Sequence, residues 1–365
     1  MESDEPRLTW EVSSAYDLFI SLEVLYNPGR YGLRGAWAAG VRSRLPAPAR
    51  ETLRQATSFL FPLAWLHGLP PPKDGQTALD ALAQIAAEER LEVVMFYAKV
   101  APPEWASVLR QVSERRAWDE DDLAALRAAM GEKKSGVKKK DLSNLLQSWS
   151  QPEVFGERFL EALCAYYDVF FAEEEKRILP YLEAAAAAAK ALAAKMRLVP
   201  LLEELSQGLT FSALPALREM VLAPSFWSTP LVVEQKLDSD RLLFLFGARP
   251  LDVSLVPGEL VPEDLHRALK ALADPTRLRI LHYLAAEPMS PSRLARQLRL
   301  RAPTVVHHLH TLRLARLVQL TMEAEGRKRY SLRPGVIEAT VEALQLFLEE
   351  GGGEEAVPEE QGGRM

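Results

Sequence analysis

Apolar residues recur three and four positions apart along most of the first 230 residues. Leu18, Leu22 and Leu25 form one such stripe behind Ser14-Ala-Tyr-Asp17, a helix-starting sequence, and Asn27-Pro28-Gly29 stops it. The same periodicity predicts helices near 50–66, 77–99, 103–114, 119–130 and 139–149. A longer one spans about 153–197, where Pro180 should kink or split it and the Ala184–Ala189 run favours plain helix. From about 229 the period shortens. Leu231–Gln235, Arg241–Phe246 and Leu251–Val256 are short and rich in branched or aromatic residues. With the turn-like Asp238-Ser-Asp240 and Gly247-Ala-Arg-Pro250 around them, they predict strands.

After Pro257-Gly258, a domain boundary, the pattern becomes more specific. A helix from Pro262 runs to Ala273, and Asp274-Pro275 breaks it and starts another, with Asp274 as cap. Leu278, Ile280, Leu281 and Leu284 are expected to bury that second helix. Ser290 caps a short helix carrying Leu294 and Leu298, and a third helix begins near Pro303. On it Val305, Leu309 and Leu312 are spaced to face a core, which turns Pro303, Thr304, His307, His310 and Thr311 outward with His308 at the flank. Leu317–Met322 and Arg327–Leu332 flank Glu323-Ala-Glu-Gly326 and predict a hairpin, a wing. A last helix carries Val336, Leu344, Phe347 and Leu348. The order is that of a winged helix, so the fold class expected is mainly α: a large helical N-terminal domain with a few short strands, then a C-terminal winged helix-turn-helix. The domain boundaries are placed at 1–256, 257–350 and a disordered acidic tail at 351–365.

Charge sharpens this division. The net charge of −6 is the sum of −6 over 1–256, +7 over 257–334 and −7 over 335–365. Within 288–333 there are 10 basic and 2 acidic residues, so the winged segment alone has the charge that nucleic acid attracts. Arg293, Arg296, Arg299, Arg301, Arg327, Lys328 and Arg329 are the expected phosphate contacts. Thr304, His307, His308, His310 and Thr311 offer hydroxyls and imidazoles to base edges. The basic segment Glu132–Lys140 lacks interleaved aromatics and reads as a solvated connector.

Ala271-Leu-Ala-Asp-Pro-Thr-Arg-Leu-Arg-Ile-Leu281 resembles the opening motif of the ArsR-type winged helix-turn-helix repressors. Ala302-Pro-Thr-Val-Val-His-His-Leu309 resembles their recognition helix, and Gly326-Arg-Lys-Arg-Tyr330 their wing. The resemblance covers about 85–90 residues. It implies a homodimer that reads a palindromic operator in double-stranded DNA and represses transcription, with Leu265, Leu269, Leu344, Phe347 and Leu348 at the dimer contact. Two positions depart from the family pattern: Val306 stands where Ser is usual, and Arg316 where Gly commonly ends the helix. More weakly, Trp10–Leu25 and Val221–Arg249 resemble the uncharacterised helical region of some long bacterial regulators.

Several chemistries are disfavoured. One Cys allows neither a disulfide framework nor a thiolate zinc site within one chain, and Cys164 reads as a small buried apolar residue. His307, His308 and His310 do not converge as metal ligands, while His266 and His282 fall beside core positions. No metal or cofactor is expected. The sequence has no GxSxG, no phosphate-binding Gly loop and no GxGxxG after a strand, so an enzyme is not expected. No apolar run suffices to span a bilayer and the N-terminus is acidic, which together suggest a cytoplasmic protein. All seven Trp precede residue 228, near Phe59, Phe61, Tyr166, Tyr167, Phe170 and Phe171. They read either as core or as a pocket for a small apolar effector. Alternatives for the N-terminal domain are a protein-binding module and an enzyme fused to a DNA reader.

Overall fold

The computed structural model describes residues 5–31, 33, 35–97, 103–130, 139–211, 216–250, 253–255, 261–323 and 327–350. The chain forms two compact units. The first comprises Met1–Ser206 and Leu214–Pro250; the second comprises Gln207–Ala213 and Leu251–Met365. Residues 207–213, grouped by sequence with the N-terminal domain, therefore pack with the C-terminal unit. The connector at 131–138 and the tail at 351–365 lie outside the described residues, as do Leu251, Asp252 and Val256 of the third expected strand. Val253–Leu255, the described part of that segment, form no strand.

The first unit opens with β1 (Arg7–Trp10), α1 (Ala15–Tyr26), α2 (Gly35–Arg44), α3 (Ala47–Ala56) and α4 (Leu63–His67). There follow α5 (Gly75–Ala83), α6 (Arg90–Met95), α7 (Trp105–Arg115), α8 (Glu120–Met130) and α9 (Lys139–Ser150). Next come α10 (Pro152–Tyr166), a π turn (Tyr167–Phe171), α11 (Ala172–Ala193) and α12 (Leu198–Ser206). The expected helices at 50–66 and 77–99 are each divided, and Pro180 sits inside a continuous α11. The break in the long segment falls instead at the π turn.

Within the second unit the chain forms β2 (Leu209–Phe211) and then returns to the first for β3 (Glu219–Ser225), β4 (Val233–Lys236) and β5 (Arg241–Gly247). The first unit's sheet has the order β1-β3-β5-β4, with β1, β3 and β5 parallel and β4 antiparallel. β3 is buried throughout, which removes the polar–apolar alternation by which strands are recognised.

α1 is the axis of this unit, buried from Ala15 to Leu25 on all its faces. Its start is anchored by ties to other elements: Ser14 Oγ donates to Glu175 Oε1 at 2.6 Å and makes no cap of its own. One turn on, the fully buried Asp17 carboxylate accepts from Ser225 Oγ at 2.8 Å and from the Phe226 and Trp227 amides at 3.1 and 2.8 Å. These bonds fasten α1 to the segment leaving β3. Burial pushes the Asp17 pKa up to about 7, outweighing the three donors that favour its charged form.

The aromatic residues pack largely on one another. Trp37 and Trp227 stack with centroids 5.4 Å apart, and Phe170 meets both edge-on at 6.0 and 5.9 Å. Cys164 is half-buried, and burial raises its thiol pKa, which disfavours the reactive thiolate.

The second unit continues with α13 (Glu263–Leu272), α14 (Pro275–Ala286), α15 (Pro291–Leu298) and α16 (Ala302–Leu314). β6 (Val318–Met322), β7 (Lys328–Leu332) and α17 (Val336–Glu350) complete it. The molecule is thus mainly α with a C-terminal winged helix-turn-helix. Ile280, Leu281 and Leu284 bury α14, but Leu278 is 49% exposed. At roughly 100° per residue Leu278 lies far around the helix from Ile280 and Leu284 and next to Leu281 only, so it falls at the edge of the buried face.

Folded Asp17 retains its proton up to about pH 7, whereas an ordinary Asp releases it near 3.8. Its linkage contribution is therefore present below about pH 4 and is lost as pH rises through about 7. The unfolding free energy of wild type should fall relative to that of Asp17→Asn across this window. Parallel pH profiles of the two in urea denaturation would refute the assignment.

Candidate nucleic-acid interface

The helix-turn-helix is assembled by caps. Asp274 accepts from the Arg277 amide at 2.9 Å and starts α14, with Pro275 in the first turn. The Arg277 side chain turns back to donate to Ala271 O at 2.7 Å and Lys270 O at 2.8 Å, closing the end of α13. The Asp-Pro-Thr-Arg sequence thus starts α14 with Asp274 and closes α13 with Arg277. Ser290 Oγ accepts from the Arg293 amide at 3.3 Å to start α15, and Arg299 ends it in the left-handed region at φ 57°.

α16 buries Val305, Leu309 and Leu312 completely. Arg301, Pro303, Thr304, Val306 and His307 are exposed; His308, His310 and Thr311 are half-buried. The Thr311 hydroxyl donates to His307 O at 3.2 Å. His308 differs from its neighbours. Burial holds its pKa below the usual imidazole value, the nearby Arg277 lowers it further, and Asp274 opposes both. It lies in the field of the α14 start, and its Nδ1 is buried without a hydrogen-bond partner among the described residues. Of the three imidazoles on α16, His307 is the exposed one.

The wing is the antiparallel pair β6–β7, with Leu320 opposite Tyr330 and Met322 opposite Lys328. Glu323 N donates to Arg327 O at 2.8 Å to close it. Arg327, Lys328 and Arg329 are all exposed. Met289 and Tyr330 exchange two backbone hydrogen bonds of 2.8 Å, tying the wing to the residue just before the α15 cap. Between the α15 N-terminus and the wing lies a cleft of about 510 Å³. Ser290, Ser292, Arg293, Arg327, Lys328 and Arg329 line it. Hydroxyls, cations and the positive end of a helix here converge, the chemistry that receives phosphate. Arg293 is held to Glu287 at 2.9 and 2.5 Å, and Arg329 to Glu323 at 2.8 Å. Arg296 and Arg299 are exposed outside this cleft.

The expected dimer residues divide. Leu265 is buried within the protomer, Leu344 and Phe347 are half-buried, and Leu269 and Leu348 are 37% and 64% exposed. Ile337 and Val341, outside the expected set, are 37% and 50% exposed and join Leu344 and Leu348 in one stripe at i, i+4, i+7 and i+11. The signal was the spacing itself. Arg316, in the place of the usual Gly, is left-handed at φ 57° and its guanidinium lies 3.5 Å from Asp264. An ion pair, about nine-tenths buried on the Arg316 side, opposes the roughly 1 kcal/mol that the backbone costs.

A winged helix with an outward polar helix and a basic cleft beside its wing defines the class of a DNA-binding transcriptional regulator. A family model described as a helix-turn-helix domain matches residues 272–321. The chain is 41% identical over 81 residues to the HTH-type transcriptional regulator Rv2034 of Mycobacterium tuberculosis, covering 22% of this chain and 75% of that regulator. The protein belongs, through this C-terminal region, to the HTH-type transcriptional regulators. Among solved structures, an ArsR family transcriptional regulator is 28% identical, with a TM-score of 0.22 and coverage of 26% of this chain and 96% of that one. NolR from Sinorhizobium fredii is 27% identical, with a TM-score of 0.21 and coverage of 26% and 95%. Among the described residues no cluster of His, Cys, Asp and Glu could hold a metal ion, and no helix is long and apolar enough to cross a membrane.

Replacing Asp274 by Ala should cost about 1 kcal/mol through loss of the cap, with Asp274→Ser retaining most of it. The hydrogen bond from the Arg277 amide holds the Asp274 pKa below its usual value, so this contribution should fade as pH falls below about 4. Denaturant titration of the three proteins at pH 7 checks the cap; equal stabilities would remove it.

Proposed function

We propose that the protein is a homodimeric, cytoplasmic repressor that binds a palindromic operator and is released by an apolar small molecule held in its N-terminal unit. The outward surface of α16 beside the basic cleft carries this reading. Two α16 helices, one per protomer, enter successive major grooves about 34 Å apart. Thr304 and His307 meet base edges, and His310 and Thr311 contribute from the flank. Arg293, Arg296, Arg299, Arg301, Arg327, Lys328 and Arg329 neutralise phosphates. The dimer forms along α17 through Ile337, Val341, Leu344 and Leu348, with Leu269 and Phe347 beside them. That stripe is apolar and partly exposed in the single protomer, which supports pairing with its own copy.

The N-terminal ligand would lie against the cluster of Trp37, Phe170 and Trp227, of which Trp37 and Phe170 are half-buried. It releases DNA by favouring a dimer in which the two α16 helices are no longer one helical turn apart.

Arg327→Ala should weaken binding to all duplex sequences and reduce the salt slope by about 1, while Thr304→Ala should change sequence preference at one position per half-site. Fluorescence anisotropy with operator and scrambled duplexes over a salt series reads both; unchanged affinities would refute the interface. Val341→Glu with Leu348→Glu should convert the protein to monomer by sedimentation and abolish half-site cooperativity. A persisting dimer would place self-association elsewhere.

A further inference from the structure

The wing sheet of the second unit has three strands in the order β2-β6-β7. The third comes from far upstream. β2 lies parallel to β6, with Leu209 opposite Leu320, Thr210 opposite Thr321 and Phe211 opposite Met322. Leu320 N donates to Gly208 O at 2.7 Å, and the Thr210 and Thr321 hydroxyls meet at 2.5 Å across 111 residues of chain. Leu209 is 7% exposed, and Arg333, just beyond β7, donates to Gln207 O at 3.4 Å.

The approach to β2 is set by two successive residues of positive φ, Gln207 at 51° and Gly208 at 139°. At Gly208 a side chain would find ordinary room, so the backbone angle is what requires glycine. This turn follows α12 directly, whose Leu201, Leu202 and Leu205 are buried.

A two-stranded hairpin is marginal on its own, and an unpaired strand edge is open to solvent. β6 would have such an edge, and its partner β7 begins at Lys328 and carries Arg329, both on the cleft. Pairing β2 along β6 turns a ribbon into a three-stranded sheet. We propose that Leu209–Phe211 form a positioning strand for the wing, which holds Arg327, Lys328 and Arg329 where they meet phosphate and fixes their orientation before DNA arrives. This rests on the DNA-binding reading above. The strand touches no DNA; it acts through β6 on β7. Because its chain emerges from α12, the wing is also covalently continuous with the N-terminal unit at the point where its sheet is completed.

The test is made on the full-length protein. Thr210→Pro removes an amide adjacent to Leu209, which in parallel register faces the carbonyl of Leu320. Thr210→Val keeps the amide and a β-branched side chain. With Thr210→Pro, deuterium exchange in 318–322 should rise about tenfold while exchange in α14 and α16 stays as in wild type. DNA affinity should fall about three- to tenfold for operator and scrambled duplex alike, since phosphate contacts are affected and base contacts are not. Thr210→Val should restore both. Wild type that binds no DNA would overturn the regulator reading and this proposal together. Wild type that binds DNA, with a Thr210→Pro variant that exchanges faster but binds equally well, would overturn the positioning role alone. Unchanged exchange would show that β2 does not hold β6.

Discussion

The orientation of α16 depends on one constraint, the complete burial of Val305, Leu309 and Leu312. A helix has a limited circumference, and once this stripe is in the core the remaining residues have no choice of direction. Thr304 and His307 are outward for that reason. The turn before the helix is equally determined. Arg299 takes a left-handed conformation, Leu300 N bonds Ala295 O at 3.0 Å, and α16 starts at a defined angle to α15. The outward residues of α16 are thus positioned by apolar neighbours on its buried side.

The parts of the fold legible in the sequence are those specified by local chemistry. Asp274-Pro275 and Ser290-Pro291 announce helix starts because a cap acts within three residues, and the i, i+4, i+7 spacing on α16 names its inner face. Local pattern says less where a residue's environment comes from elsewhere. Leu278 is apolar yet exposed, and only its angle relative to Ile280 and Leu284 reveals it. The pattern puts His308 at the flank of the outer face, but its pKa is lowered first by burial, with Asp274 and Arg277 at the start of another helix acting on it in opposite senses. Val341 and Ile337 have the right spacing but sit on a helix whose outer side looks unremarkable until its exposure is known.

The strands show the same division. β4 and β5 were anticipated from branched residues between turns. β1 is four residues long, β3 is buried on both faces and contains Pro224, and β2 is three residues whose partner lies more than a hundred positions away. None of these carries a periodic signature, so each is defined by its sheet. In the first unit the same long-range logic puts a carboxylate, Asp17, at the centre of a protein interior. Its function there is to accept three donors that would otherwise be stranded.

The reciprocal pair between Met289 and Tyr330 makes the base of the wing part of the helix-turn-helix frame. With both backbone groups of each residue engaged, that end of the hairpin has no freedom to slide or tilt. Tyr330 also pairs with Leu320, so the tie reaches β6 through the ladder. Arg329 lies one residue from Tyr330 and Arg327 three. The backbone of the wing's basic run is thus referenced to the same frame that carries α15, so the basic run and the α15 N-terminus line one cleft as parts of one body.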